Sequence, residues 1–443
     1  MADDVPLDEA SPGRAVPDGR VARLMRMGSL TAGIGGRVLL DGARQLASGQ
    51  RPRMQDLLLT PDNARKITQQ LAQMRGAAMK MGQLLSMETG DFLPRELTDI
   101  LSRLRADADH MPPQQLRSVL DKSWGKGWIS GFAQFNVRPI ASASIGQVHR
   151  ARTRDGHDLA IKVQYPGVRN SIDSDVSNVA ALLRLSGLLP KTLDIRPLMN
   201  EARSQLHEEA DYIREGTQMD RFVSLLADAP QFRVPRLYAP LSGRDVLAME
   251  FIDSVPIESL RDAPQALRDE VVSHLLDLVM QELFRFRLMQ TDPNFANYRY
   301  DPDARQIVLL DFGATRGFSQ DFADGFQDLL RAALAGDLEA MRLAAMRVGY
   351  FDAGMMVEDQ RSVMRMAELA IIPMQRADAH DFGDPTLPNQ MRKIGMEIGL
   401  NRDLWHVPPA DVLFMNRKFG GLYLLATMLK ARVDIRSILQ RYA

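Results

Sequence analysis

The stretch Met289–Phe318, MQTDPNFANYRYDPDARQIVLLDFGATRGF, constrains this chain more than any other. Asp292 and Asn297 stand five positions apart, and an apolar, strand-like run then ends in Asp311-Phe312-Gly313. Upstream, Val272, Leu276, Val279, Leu283 and Phe286 recur at helical spacing, which predicts a buried helix ending where the loop bearing Asp292 begins. Downstream, Tyr298 to Tyr300 and Ile307 to Leu310 flank the turn sequence Asp301-Pro302-Asp303, a hairpin that returns Asp311 towards Asp292. Two carboxylates and an amide converging in this way are the oxygen ligands that Mg²⁺ uses while it holds phosphates. Phosphoryl transfer asks little else of a protein than positioning and such charge. A single DFG tripeptide is chance, but helix, loop, hairpin and DFG in series are not.

That order is the one in which a protein kinase fold presents its base and its two metal ligands. Asp292 is then the base or water-orienting group, and Asn297 and Asp311 are the Mg²⁺ ligands. Such a fold also needs a phosphate-covering loop and a lysine on a following strand. Residues 141–148 read ASASIGQV, the G-x-G-x-x-G-x-V template with Ala141 and Ala143 in place of two glycines and Gly146 retained. Each Cβ keeps the backbone further from phosphate than glycine would, so ATP or ADP sits differently here from in an ordinary kinase. Beyond the turn Arg154-Asp155-Gly156-His157 comes Leu159-Ala160-Ile161-Lys162-Val163. A strand lysine is by default an edge residue, yet its apolar neighbours and the preceding loop make Lys162 the partner of the α/β-phosphates. Val246 to Ile252 reads as the strand and hinge that meet adenine, with Met249 lining the pocket. The nucleotide set is therefore Ala141, Ser142, Ala143, Ser144, Gly146, Val148, Lys162, Met249, Glu250 and Ile252.

Two further segments carry charge at helical spacing. Ile67, Leu71, Met74, Ala78, Met81 and Leu85 predict an amphipathic helix from about Pro61 to Met87, with Lys80 and Gln83 on a neighbouring face. Gly76 and Gly82 each cost about 1 kcal/mol relative to alanine there, which points to close approach by another backbone or a ligand. Glu208 to Glu215 reads as one helix, in which Asp211 and Glu215 are like-charged neighbours that a cation would relieve. Lys162 is that cation in the kinase scheme. Glu215 is assigned as its partner, and Glu209, roughly 120° away at ~100° per residue, faces elsewhere.

These residues resemble the atypical kinase-like family of the UbiB/AarF type. The blocks carrying the resemblance are VPDGRVARLMRMGSL, RGAAMKMGQLLS, PIASASIGQVHRA, AIKVQYPGV, EEADYIREG and the DFG region. It implies that the alanine-rich loop stands in for the glycine-rich one and that the chain supports ubiquinone biosynthesis. It also implies that Lys80 and Gln83 form the KxGQ signature, on a helix packed over the nucleotide site where a kinase would receive a peptide. Glu209 and Asp211 would form the ExD signature, with Glu209 serving the KxGQ helix.

Departures from protein kinases narrow the chemistry. Gln290-Thr291 stands where kinases have His-Arg, Asn294 where many have lysine, and no Ala-Pro-Glu follows Asp311. The acceptor read from this is water, a small molecule or a lipid-like compound, and protein phosphorylation is disfavoured. A net charge of −1 gives no case for nucleic acid. The absence of cysteine excludes disulfides and thiolate metal ligands. The acidic first residues are read as disordered and as neither signal nor transit peptide. A basic amphipathic stretch follows, with Arg20, Arg23 and Arg26, suited to an anionic membrane surface or to packing on the kinase body. No run of about 20 apolar residues occurs. The expectation is a cytoplasmic chain, peripheral at the inner face of a membrane where it associates at all.

The expected fold is α+β and two-lobed: an arm over 1–54, a helical KxGQ extension over 55–128, a small β-containing lobe with inserted helices over 129–252, and a mostly helical large lobe over 253–443. The expected partners are an adenine nucleotide, a quinone precursor or anionic lipid, and quinone-biosynthesis proteins. Two functions compete at this level: a Mg²⁺-dependent ATPase or small-molecule or lipid kinase, and a nucleotide-gated lipid-binding scaffold with little catalysis. Retention of Lys162, Asp292, Asn297 and Asp311 together favours the first.

Overall fold

The computed structural model describes residues 110–185, 195–351, 357–400 and 408–443, together with 71, 74, 76–78 and 80–82. The reading of the arm, and that of Gln83, lies outside these residues. By contacts the chain parts into two units, 1–217 with 236–251, and 218–235 with 252–443.

In the first unit, helix α1 (Pro113–Trp124) leads into strands β1 (Phe132–Phe135), β2 (Ala141–Ser142), β3 (Gly146–Thr153) and β4 (Asp158–Gln164). Helices α2 (Val168–Leu185), α3 (Arg196–Glu209) and α4 (Tyr212–Leu225) follow, and α4 ends in the second unit. Strand β5 (Phe232–Arg233) belongs to the second unit, whereas β6 (Val246–Glu250) returns to the first. The sheet is antiparallel in the order β1-β3-β4-β6, with β2 added on β3. Alternation along the strands sends Ile161, Val163, Val246 and Ala248 to one face, where they pack with Leu116, Val119 and Leu120 of α1. A second core joins α2 and α3 to Leu71, Met74, Ala77, Ala78 and Met81, the described part of the amphipathic segment expected around Lys80.

A buried polar chain ties the entry of α1 to this sheet. Met111 N donates to Gln147 Oε1 at 2.8 Å, Gln147 Nε2 lies 2.8 Å from His149 Nε2, and His149 Nδ1 lies 2.8 Å from the Asn136 carbonyl. With Gln147 donating, the ring accepts at Nε2 and donates at Nδ1, which is the neutral tautomer. Burial lowers the His149 pKa to about 4 against the opposing pull of the Asn136 carbonyl, and His110 lowers it further.

The second unit contains β7 (Val255–Pro256), α5 (Gln265–Gln281), a π-helical turn (Glu282–Phe286), β8 (Leu288–Gln290), β9 (Tyr298–Asp301), β10 (Gln306–Leu309) and β11 (Thr315–Gly317). The rest is helical: α6 (Gln320–Ala335), α7 (Leu338–Val348), α8 (Val357–Gln375), α9 (Thr386–Leu400), α10 (Ala410–Leu429) and α11 (Ile435–Gln440), with β12 (His380–Asp381) and β13 (Arg432–Val433) pairing between them. Local signals set several ends. Ser319 caps α6 and Asp337 caps α7, while Gly336 and Gly349 close them at positive φ. The helix expected before the catalytic loop is α5 and its π turn, with Val272, Val279 and Leu283 buried. The expected hairpin is β9–β10, turned by Asp301, whose Oδ1 accepts from the amides of Asp303 and Ala304. Among the described residues, no helix is long and apolar enough to cross a membrane.

Candidate nucleotide and phosphoryl-transfer residues

Strand register places the candidate nucleotide residues of the first unit on the sheet. Val148, Lys162 and Leu247 lie directly opposite one another, as do Ala160 and Met249. Side chains two apart share a face, so Val148, Ala160, Lys162 and Met249 all project away from the side packed under α1. Lys162 Nζ donates to both carboxylate oxygens of Glu215, at 2.8 and 3.0 Å. The side chains are 8% and 2% exposed, so the pair is almost dry. It lies 5.1 Å from the Tyr212 ring.

The alanine loop is a tight hairpin. Ala141 pairs with Val148, and Ala143 N donates to Gly146 O at 2.8 Å. A Cβ on Gly146 would collide with the Val163 carbonyl and lie 3.0 Å from the Tyr212 hydroxyl, so packing on β4 alone demands glycine there. Gly76 approaches from the other side: its Cβ would lie 2.9 Å from Ile145 Cγ2 and 3.2 Å from Ser144 O. The helical segment bearing Lys80 thus rests on the loop. Lys80 forms an ion pair with Glu209, and Ser144 Oγ donates to Glu209 Oε2 at 2.7 Å. Lys80, Glu209 and Ser144 meet through one carboxylate.

The single helix expected over Glu208 to Glu215 is corrected: α3 ends at Glu209 and α4 starts at Tyr212. Asp211 acts as a cap instead of a helical neighbour of Glu215, its Oδ1 accepting from Arg214 N at 3.1 Å. The carbonyl of Ala210 at the break receives Gln164 Nε2 at 2.7 Å and Arg169 at 2.6 Å. In the hinge, the Glu250 amide is taken by the Arg236 carbonyl at 2.9 Å, and Ile252 falls in the second unit.

In the second unit, the hairpin seats Leu310 beside the catalytic loop, its amide donating to Asn297 O at 2.8 Å. Asp311 follows at once, at φ 58°, a left-handed conformation that aspartate tolerates better than most residues and that clusters at functional sites. Its Oδ1 accepts from Gly313 N at 3.1 Å, and Phe312 is buried with its ring 4.9 Å from that of Phe222. Asn297 Nδ2 donates to Asp292 O at 3.2 Å and approaches Asp292 Oδ2 at 3.4 Å. Asp292, Asn297 and Asp311 therefore belong to one loop-and-hairpin assembly.

Two residues escaped the sequence reading. Arg417 on α10 donates to Asp292 Oδ1 at 2.7 Å. Beside it, Lys418 is buried and donates to Gln290 O at 2.6 Å and to Tyr298 Oη at 2.9 Å, with Glu282 Oε2 at 3.3 Å. Burial opposes the Lys418 charge, but Glu282 and Tyr298 outweigh it and raise its pKa; burial also raises that of Glu282, partly offset by Lys418. The available signal was an adjacent Arg-Lys pair inside a mostly apolar helix.

Comparison with known proteins identifies the family and the fold. Residues 103–345 match the model of the ABC1 atypical kinase-like domain. The chain is 36% identical to the Atypical kinase COQ8, mitochondrial, of Saccharomyces cerevisiae, across 95% of this chain and 84% of that one. It is 35% identical to the Atypical kinase COQ8B, mitochondrial, of Rattus norvegicus, across 98% and 82%. A Mycobacterium tuberculosis protein, Rv3197, solved with erythromycin, shares the fold at a TM-score of 0.58 and 24% identity, covering 86% of this chain and 95% of that one. The motifs, the kinase-like fold and these matches converge: the chain belongs to the ABC1 atypical kinase-like family, the group of UbiB and COQ8.

Proposed function

We propose that the chain is a Mg²⁺-dependent ATPase, or a small-molecule or lipid kinase, that supports ubiquinone biosynthesis. The observation carrying this reading is the assembly of Asp292, Asn297 and Asp311 on one loop and hairpin, with Asp311 in a left-handed conformation. Lys162, oriented by Glu215, is the cation for the α/β-phosphates. Val148, Ala160 and Met249 supply an apolar surface for adenine. Asp292 orients the acceptor oxygen and receives its proton as that oxygen bonds the γ-phosphorus and the bond to the β-bridging oxygen breaks, giving ADP and either phosphate or a phosphate ester. Asn297 and Asp311 are the two groups that would hold Mg²⁺: the amide nitrogen of Asn297 is turned to Asp292, leaving its oxygen as the ligand, and phosphates and water complete such a shell. The ion would neutralise charge on the phosphates.

The test is ATP turnover by the full chain, with and without anionic liposomes and a phenolic quinone-precursor mimic, against Asp311→Asn. Turnover should fall by at least about a hundredfold in the variant, the order expected for losing a charged transition-state contact; phosphate release unchanged by the substitution refutes the reading. A second reading, a nucleotide-gated lipid-binding scaffold, draws support from the Lys80–Glu209–Ser144 connection, which couples a neighbouring helix to the loop. It is favoured if nucleotide-dependent liposome binding persists while wild-type turnover is absent.

A further inference from the structure

The catalytic loop lacks the His-Arg pair that precedes the aspartate in protein kinases, yet Asp292 is held at both carboxylate oxygens and at its carbonyl. Its Oδ1 accepts from Arg417 at 2.7 Å and its Oδ2 faces Asn297 Nδ2 at 3.4 Å. Its carbonyl accepts from Gln290 Nε2 at 2.8 Å as well as from Asn297. Gln290 is in turn anchored by Lys418 through its own carbonyl. Arg417 and Lys418 are adjacent on α10, so one helix grips the loop at its carboxylate and at its backbone. Backbone packing agrees with this: Gly421, one turn further along α10, lies so close to Pro293 that a Cβ would collide with the proline ring.

We infer that Arg417 is a positioning residue for the proposed phosphoryl-transfer reaction, aiming Asp292 from 125 positions away in the chain. This inference rests on the preceding functional reading. Its side chain is 9% exposed and that of Asp292 is 17%, so the contact is largely shielded while Asp292 keeps access to solvent and to an acceptor. Being built into the fold, this hold on Asp292 requires no phosphorylated loop. Lys418 is the structural member, satisfied by Gln290, Tyr298 and Glu282; Arg417 is the member that acts on the reaction.

Positioning predicts a particular signature, because a carboxylate misaimed by about 1 Å costs on the order of a hundredfold in rate while nucleotide contacts elsewhere persist. In the full chain, Arg417→Met should lower kcat for ATP turnover by about tenfold to a hundredfold and change ADP affinity, measured by calorimetry, by less than about threefold. Arg417→Lys, which keeps a cation beside Asp292, should recover a substantial part of kcat. Independently of turnover, hydrogen exchange of amides 290–297 should rise in Arg417→Met and return towards wild type in Arg417→Lys. Unchanged exchange in Arg417→Met overturns the inference whether or not the chain turns over ATP. So does a parallel loss of kcat, ADP affinity and thermal stability, which marks a merely structural side chain. Turnover that is insensitive to Asp292→Asn refutes the functional reading instead.

Discussion

Each unit holds a charged contact that bears on the proposed chemistry, and the two are held at different depths. Lys162 and Glu215 are sealed from water at 8% and 2% exposure, whereas Asp292 keeps 17% and is steadied by Arg417 and Asn297. A charge shielded from water leans heavily on its ion-pair partner, so losing that partner strikes the fold. A charge still touching water loses its aim first, because solvent can replace part of what the partner supplied. The Lys162–Glu215 pair thus contributes stability, and the contacts around Asp292 contribute geometry.

Three substitutions would sharpen or break that contrast. Glu215→Ala removes the carboxylate that accepts two hydrogen bonds from the buried Lys162 ammonium, and should destabilise the chain by roughly 3–5 kcal/mol. Denaturant unfolding measures this; a loss below about 1 kcal/mol, the ordinary worth of an exposed pair, would erase the distinction between the units. His149 extends the principle to a neutral group. The unfolded chain takes up a proton near 6.5 and the folded chain only at about 4. The unfolded state therefore binds more protons between these values, and stability falls as pH drops through that window, by at most about 3 kcal/mol. Comparing wild type with His149→Gln at pH 7 and pH 4.5 isolates the effect, and equal slopes would contradict it. The smallest effect on stability is expected in the second unit, where Gly421→Ala forces α10 away from Pro293. Overpacking of this kind costs about 1–3 kcal/mol, and kcat should fall more than that loss implies. Turnover equal to wild type would show that the grip on the loop is dispensable.

What could be read without coordinates follows from how local each signal was. The turn between β3 and β4, the hairpin carrying Asp311 and the partnership of Lys162 with Glu215 were legible, because turn chemistry, apolar strand runs and charge all pointed the same way. The break at Ala210 and Asp211 was misread as continuous helix, although aspartate is a strong N-cap; the charged run obscured the capping signal. Arg417 and Lys418 were missed because helical spacing describes one segment at a time, and their partners lie 125 and 128 positions upstream.

The corner at Ala210 fixes a count of residues. Glu209 closes one rod and Glu215 lies in the first turn of the next, while Gln164 and Arg169 grip the carbonyl between them. One amino acid inserted after Tyr212 would swing Glu215 by about 100° around its rod and away from Lys162, yet leave the Glu209 carboxylate under Ser144 untouched. The spacing between the two acids therefore works as a ruler.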